Sequence, residues 1–325
     1  MQFLRRSWII ECREFHLAGD TQGRISVLRQ DKVVPLLPGL ARAGSAVAPR
    51  LPREQPWRHT LLEHHHVGAI EIPEHEHDHL CLHLQLTGAP ELEWWNEGRN
   101  RVVDTAPGAI ILVGAGTRDR VRWSAPNERV ILSVRPELLQ RTATELGAGA
   151  PTDVATLRNQ WALRDPALEH AVGRMYREAA EGFPLGALYA GLLESELAGV
   201  LLRRHAELAL PELRSKGRLP MPKLQRAMEF LTENLSRDVR LDEAASAVEL
   251  SPFHFAHEFR ATSGQTPYQY LLTQRMDRAK VLLATTDWSV REIAAQTGFT
   301  SDANFVRAFR QRVGITPGEW RKQAG

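Results

Sequence analysis

Between Trp57 and Val134 apolar and polar residues alternate in short runs, whereas from Pro136 onward apolar residues recur every three or four positions. The first pattern belongs to strands and the second to amphipathic helices. Leu80, Leu82, Leu84 and Leu86 fall on one face of a strand and Cys81, His83 and Gln85 on the other; the leucine face is expected to point into the barrel that these strands would form. ELEWW, a turn at Asn96-Glu-Gly-Arg and RVVD read as a hairpin, and AIILV, RVRW and RVILSV supply further strands between glycine turns. Closely spaced strands without intervening helices predict a small antiparallel barrel or double-sheet jelly roll over residues 57–135. Helices are expected over Pro136–Leu146, from Pro166 to Glu181 and over Pro184–Leu208. This helical stretch, 136–210, suits a dimer interface or a layer packed on the strands, and the same apolar residues serve either. Residues 211–220 read as a flexible joint. Residues 1–56, proline-rich after Pro35, read as an N-terminal arm that is partly disordered or else extended and packed on the strand domain.

The last third of the chain contains a repeat. FAHEFRATSGQTP (Phe255–Pro267) returns as FVRAFRQRVGITP (Phe305–Pro317), with Phe255/Phe305, Phe259/Phe309, Arg260/Arg310, Gly264/Gly314, Thr266/Thr316 and Pro267/Pro317 identical. Two phenylalanines four apart lie on one helical face. Glycine then ends the helix, and Thr-Pro starts the next one. Before each copy stands a short alanine-rich helix and a tight break: LDEAASAVEL (241–250), and Ser289-Val-Arg-Glu292 with IAAQ, the latter opening on a capping box. Upstream of the phenylalanines the copies align with a one-residue slip that pairs Ala245 with Ala294. Short helix, tight turn, second helix is a helix-turn-helix unit, present twice. The joining segment, Pro267 to about Ala284, is amphipathic and about 27 Å long as a helix. Units docked on one side of it would reach successive major grooves, which recur about every 34 Å.

Residues 221–325, with REIAAQTGF, NFVRAFR and GITPGEWR, resemble the DNA-binding domain of the AraC/XylS family of bacterial transcription regulators. The resemblance implies two helix-turn-helix units on double-stranded DNA, a sensor or dimerisation domain before them, a small-molecule effector, a homodimer and, for an activator, contact with RNA polymerase. The base-reading positions are expected on the outward faces of the second helices: Phe253, Ala256, His257 and Arg260 in one, Asp302, Ala303, Val306, Arg307 and Arg310 in the other. Arg307 suits a guanine edge, Ala256 and Ala303 a thymine methyl, and the paired arginines phosphates. The strand region resembles the cupin-like sensor barrels of the same family: Gly68, His75-Glu-His77 and Gly88 follow the first cupin motif. Gly108 and Gly114-Ala-Gly116 follow the second loosely, with Asp119 where a metal histidine is usual. The expected fold class is α+β: a cupin-like barrel, a helical connector and an all-α double helix-turn-helix.

Composition changes this picture little. A chain of 325 residues has room for two domains, and a net charge of +2 gives no global polyanion signature. Cys12 and Cys81 cannot make a disulfide framework. There is no apolar run of about 20 residues, nor a leader-like start. A cytoplasmic regulator, not an enzyme, is expected. Seven of the thirteen histidines lie between His64 and His83. His75 and His77 are candidate ligands for a divalent metal, with Asp119 or Glu63 as a third, although no cofactor is required. His75, His77, His79, Cys81 and His83 share one parity and would lie on one face of an unbroken strand, opposite the leucines, unless a bulge near Asp78-His79 intervenes. Rim histidines beside a degenerate pocket are the competing reading. Two further alternatives are a metal-responsive regulator and a cupin-type metalloenzyme fused to the DNA-binding domain.

Overall fold

A computed structural model describes residues 10–11, 51–52, 54–77, 79–88, 91–96, 98–147, 157–206 and 217–324. The expected arm (1–56), Cys12 and the joint (211–220) therefore lie wholly or mostly outside the described residues. The contacts divide the chain into two compact units.

The first unit is built on two five-stranded antiparallel sheets. One runs β1 (Ile10–Glu11), β3 (Ile70–His77), β8 (Arg118–Trp123), β5 (Glu91–Asn96), β6 (Arg99–Asp104). The other runs β10 (Gln160–Leu163), β7 (Ile110–Val113), β4 (Leu80–Thr87), β9 (Asn127–Val134), β2 (Thr60–Val67). No ladder among the described residues joins the sheets into a closed barrel; what the structure gives is two sheets with a cavity between them.

The leucine face points the other way from expectation. In the second sheet Leu62, Leu132, Leu82 and Leu112 sit in one register row, all essentially buried. Helix α2 (Pro166–Ala180) covers that side: its Tyr176 hydroxyl meets Nδ1 of His64, two residues along β2 from Leu62. Cys81 and His83 instead line the cavity. A strand buried on both faces carries no net polarity contrast, so alternation alone could not tell helix side from cavity side.

The expected helix at Pro136–Leu146 is present as α1 (Pro136–Glu145). At the start of α2, Asp165 Oδ1 accepts from the amides of Ala167 and Leu168, at 2.9 and 3.4 Å. Its Oδ2 accepts from Arg204 Nε at 2.6 Å and His205 Nε2 at 2.8 Å. Both latter residues end α3 (Gly186–His205), where cations also suit the helix dipole.

The second unit, residues 56–58, 181–196 and 211–325, contains the repeat. Its helices are α4 (Met221–Glu233), α5 (Leu241–Ser246), α6 (Pro252–Ser263), α7 (Pro267–Thr285), α8 (Val290–Gln296), α9 (Asp302–Val313) and α10 (Pro317–Ala324). The expected caps form: Ser251 and Ser301 accept from the amides three residues on, Ser289 and Thr266 close capping boxes, and Gly264 and Gly314 end α6 and α9 at φ +77° and +95°. The slip is visible in the hydrogen bonds. Leu250 N bonds to Ala245 O and Phe299 N to Ala294 O, each at 3.0 Å, a six-to-one closure at one offset of the two copies. The stripe phenylalanines of each copy meet ring to ring, Phe255 and Phe259 edge-on with centroids 5.5 Å apart and Phe305 and Phe309 tilted at 5.7 Å. They head two separate cores, one under α5 and α6 and one under α8 and α9.

Candidate nucleic-acid interface and buried cavity

With Phe255, Phe259, Phe305 and Phe309 fully buried, the opposite side of each second helix faces solvent. His257 and Arg260 are exposed on α6; Asp302, Ala303, Arg307 and Arg310 are exposed on α9. All five α9 positions singled out in the sequence line one shallow concavity of ≈ 820 Å³, with Val290 and Thr316 on its wall. Arg307 Nη1 donates to Glu181 Oε2 at 2.8 Å in an exposed pair. Ala256 and Val306 are half-buried, each resting against its unit's core. Phe253 does not lie on the outward face: it is 9% exposed. It is the second residue of α6, where a large ring gains more from burial than from solvent.

Arg275, on α7 and 6% exposed, went unremarked in the sequence. Its Nε donates to Leu235 O at 2.9 Å and its Nη2 to Arg237 O at 2.7 Å, satisfying carbonyls just beyond α4. Its guanidinium also lies 5.6 Å from the Phe299 ring centre, beside the turn of the second helix-turn-helix. The signal in hindsight is a lone arginine on the apolar stripe of Leu271, Met276 and Ala279.

In the first unit the histidine row is folded in two. β3 ends at His77 and β4 starts at Leu80, in different sheets, so His75 and His77 face Cys81 and His83 across the cavity. A bulge sits at Ile72–His75: Ile72 pairs with Val121 and His75 with Asp119, one extra residue on β3, while Asp78 lies outside the described residues. That residue turns His75 onto the face of Ile72. His75 Nδ1 meets the Pro73 carbonyl at 2.9 Å, so it holds the proton and leaves the Nε2 lone pair free. Nε2 of His75 and Nε2 of His77 each stand 3.4 Å from Asp119 Oδ1. Trp94 Nε1 donates to Asp119 Oδ2 at 2.8 Å and fixes the carboxylate.

Burial, then the neighbouring His77, holds His75 below its ordinary pKa. Burial opposes charge on His77 and Cys81 too, but here neighbours win. Cys81 and Asp119 push His77 up to about 10, and His79 and His77 pull the Cys81 thiol down to about 6. Glu63 lines the cavity from β2, and Arg129, 1% exposed and lowered to about 9 by burial, lies over Trp123 with its centre 4.2 Å from the ring. Trp161 closes the cavity from β10, a strand absent from the sequence reading because QWAL does not alternate.

Residues 244–323 match a family described as a helix-turn-helix domain. The regulatory protein PocR of Salmonella typhimurium is 32% identical over 132 residues, 40% of this chain and 44% of that protein. The chain thus spans less than half the length of that relative. The XylDLEGF operon transcriptional activator 1 of Pseudomonas putida is 24% identical over 250 residues, 75% of each chain. A solved transcriptional regulator from Chromobacterium violaceum, described as an AraC-type DNA-binding domain-containing protein, is 32% identical, with 32% of this chain and 93% of that one covered and a TM-score of 0.31. Residues 244–323 are thus a helix-turn-helix domain similar to those of AraC/XylS-type transcription regulators. The family match takes in α5 from Ala244 and all of α6 to α9, including each candidate DNA-reading position. Among the described residues no helix is long and apolar enough to cross a membrane.

Proposed function

We propose that this chain is a sequence-specific, effector-responsive transcription activator of the AraC/XylS type. α6 and α9 read adjacent major-groove segments, and the two-sheet unit is a cupin-like sensor holding a small effector in its cavity. The observation that carries the DNA reading is the pair of matched second helices, each burying two phenylalanines and leaving an arginine, Arg260 or Arg310, exposed at the same place. Activation is supported by the Pseudomonas putida relative, named for activating an operon. A homodimer formed through the helical region 136–210, contact with RNA polymerase and a cytoplasmic location complete the proposal.

The DNA residues divide by chemistry. Arg307, exposed in the concavity, is a long fork-shaped donor suited to one base edge, whereas its counterpart His257 is short. Binding selection over randomised duplexes, with salt titrations, tests the assignment. Arg307→Ala is expected to cost about 1–3 kcal/mol and blur one base position. Arg310→Ala is expected to weaken all sequences alike and to flatten the salt slope by about one unit. His257→Ala is expected to do less than Arg307→Ala at pH 7.5. Sharper loss of sequence preference from Arg310→Ala than from Arg307→Ala would show the helix faces to be wrongly assigned. Sequence-independent binding by the wild type would remove the specific-regulator reading.

A further inference from the structure

The cavity between the two sheets is compact. Its volume is ≈ 50 Å³, room for about three to five waters at roughly 10–15 Å³ each. One end gathers donors of a single kind. His75, His77 and Asp119 are all buried, and each offers one ligand atom within 4.8 Å of the others.

Three observations say that these donors fit a cation. His75 keeps its proton on Nδ1, against the Pro73 carbonyl, so Nε2 presents a lone pair to a carboxylate oxygen 3.4 Å away. Two acceptors facing each other in a buried site repel unless something positive lies between them. The 3.4 Å separations are also long for hydrogen bonds. Two donors each about 2.0–2.1 Å from one tetrahedral ion stand about 3.4 Å apart. Finally, the carboxylate is held from behind by Trp94, and the β3 bulge turns His75 inward. Both are outer supports of the sort that orient metal ligands. Elsewhere in the same cavity His83 Nδ1 is buried with no hydrogen-bond partner among the described residues.

We propose that His75 Nε2, His77 Nε2 and Asp119 Oδ1 form a binding site for a divalent transition-metal ion of the zinc class, open toward the cavity. Two imidazoles and a carboxylate favour such an ion over magnesium or calcium, which prefer all-oxygen shells. Cys81, which also lines the cavity, adds a soft donor beside His77 that favours the same class. The two carboxylates lining the cavity, Asp119 and Glu63, offset the one arginine there, Arg129, whose Nη1 is turned to Asn127 Oδ1 at 3.5 Å. The regulatory meaning of the ion rests on reading this unit as the sensor; the coordination chemistry does not.

The test uses full-length protein stripped with chelator and titrated with Co²⁺ and Zn²⁺, followed by Co²⁺ absorption and by metal analysis after dialysis. One equivalent per chain is expected, with visible d–d bands, and no competition from a large excess of Mg²⁺. His75→Ala, His77→Ala and Asp119→Ala are each expected to weaken binding at least tenfold. Asp119→Asn, which keeps the shape and the Trp94 contact, guards against misfolding and should weaken it too. His66→Ala, an exposed histidine of β2, should bind as wild type. Absence of a stoichiometric ion, or equal binding by wild type and Asp119→Asn, would overturn the proposal. Sequence-specific DNA binding by the same samples, stripped and metal-loaded, separates the two readings: its persistence without metal binding sinks only the ion, and its absence in both states sinks the regulator.

Discussion

Two residues at equivalent places in the two helix-turn-helix units carry the same unusual backbone. Glu249 has φ +56° and Gly298 +75°, each the residue before the six-to-one bond that closes the turn. The left-handed region costs a side chain about 1–2 kcal/mol and costs glycine almost nothing. Glu249→Gly is therefore expected to raise stability by up to about 1 kcal/mol, the gain being reduced by the added freedom of the unfolded chain. The Lys223–Glu249 pair it removes, at 3.7 Å with Glu249 86% exposed, adds almost nothing. Gly298→Ala should do the reverse, and more strongly, since a Cβ there meets the Leu235 carbonyl and the Arg275 guanidinium. A loss of about 2–4 kcal/mol is expected. Gly314→Ala, strained in φ but facing open space, should lose only about 1–2 kcal/mol. Thermal melts of the three variants check the order; equal losses at Gly298 and Gly314 would refute the close-contact argument. The sequence makes Gly298 legible as a turn residue. It does not reveal Glu249, because glutamate in a left-handed conformation has no compositional signature.

At the scale of elements, helices with caps were legible and strand faces were not. Ser251, Thr266, Ser289 and Ser301 announce helix starts through their own side chains, a local code independent of what packs nearby. Which way β4 turns depends on what covers each side, and both sides are covered. The bulge at Ile72–His75 was equally hidden, for an extra residue leaves alternation readable in either register. Asp165 is a cap of another sort, joining two elements with one carboxylate. Its burial raises its pKa, but Arg204, the two amides and His205 outweigh that and bring it down to about 2. A carboxylate depressed on folding stabilises the fold above its ordinary pKa, and that support fades as pH falls through the folded value. A drop from 3.8 to about 2 corresponds to about 2 kcal/mol. Asp165→Asn is expected to be less stable than wild type by roughly that amount at pH 6, and by nearly nothing near pH 2. Urea unfolding across this range is the check; a gap that stays constant with pH would mean the charge is not what matters.

For the whole molecule, the compact unit that carries the proposed DNA-reading helices is larger than the segment the family pattern marks. The repeat and its match begin at residues 241–244, yet Leu188, on α3, is 2% exposed within the core cluster of Phe255, Phe259, Leu241 and Leu271. Around it, Ala187 N donates to Asp238 Oδ1 at 2.8 Å, and Trp57 Nε1 donates to Ala190 O at 3.0 Å. Gly191 lets the Leu241 side chain approach closer than a Cβ would allow. Sequence reading missed this because the glycines and leucines of α3 fit a dimer face or a strand cover equally well; only contact with a distant helix distinguishes these. Leu188→Ala should therefore destabilise the DNA-reading unit even though it lies outside the matched residues, by about 2–5 kcal/mol as for other buried leucines. Amide hydrogen exchange on the full chain localises the effect. Protection at Phe255 and Phe259 is expected to fall by about thirtyfold or more, the equivalent of about 2 kcal/mol. Leu197→Ala, nine residues further along α3 and buried in the first unit, should leave those amides unchanged. If the two substitutions affected Phe255 and Phe259 equally, or Leu188→Ala left them fully protected, Leu188 would not belong to that core, and the DNA-reading unit would begin where the family match does.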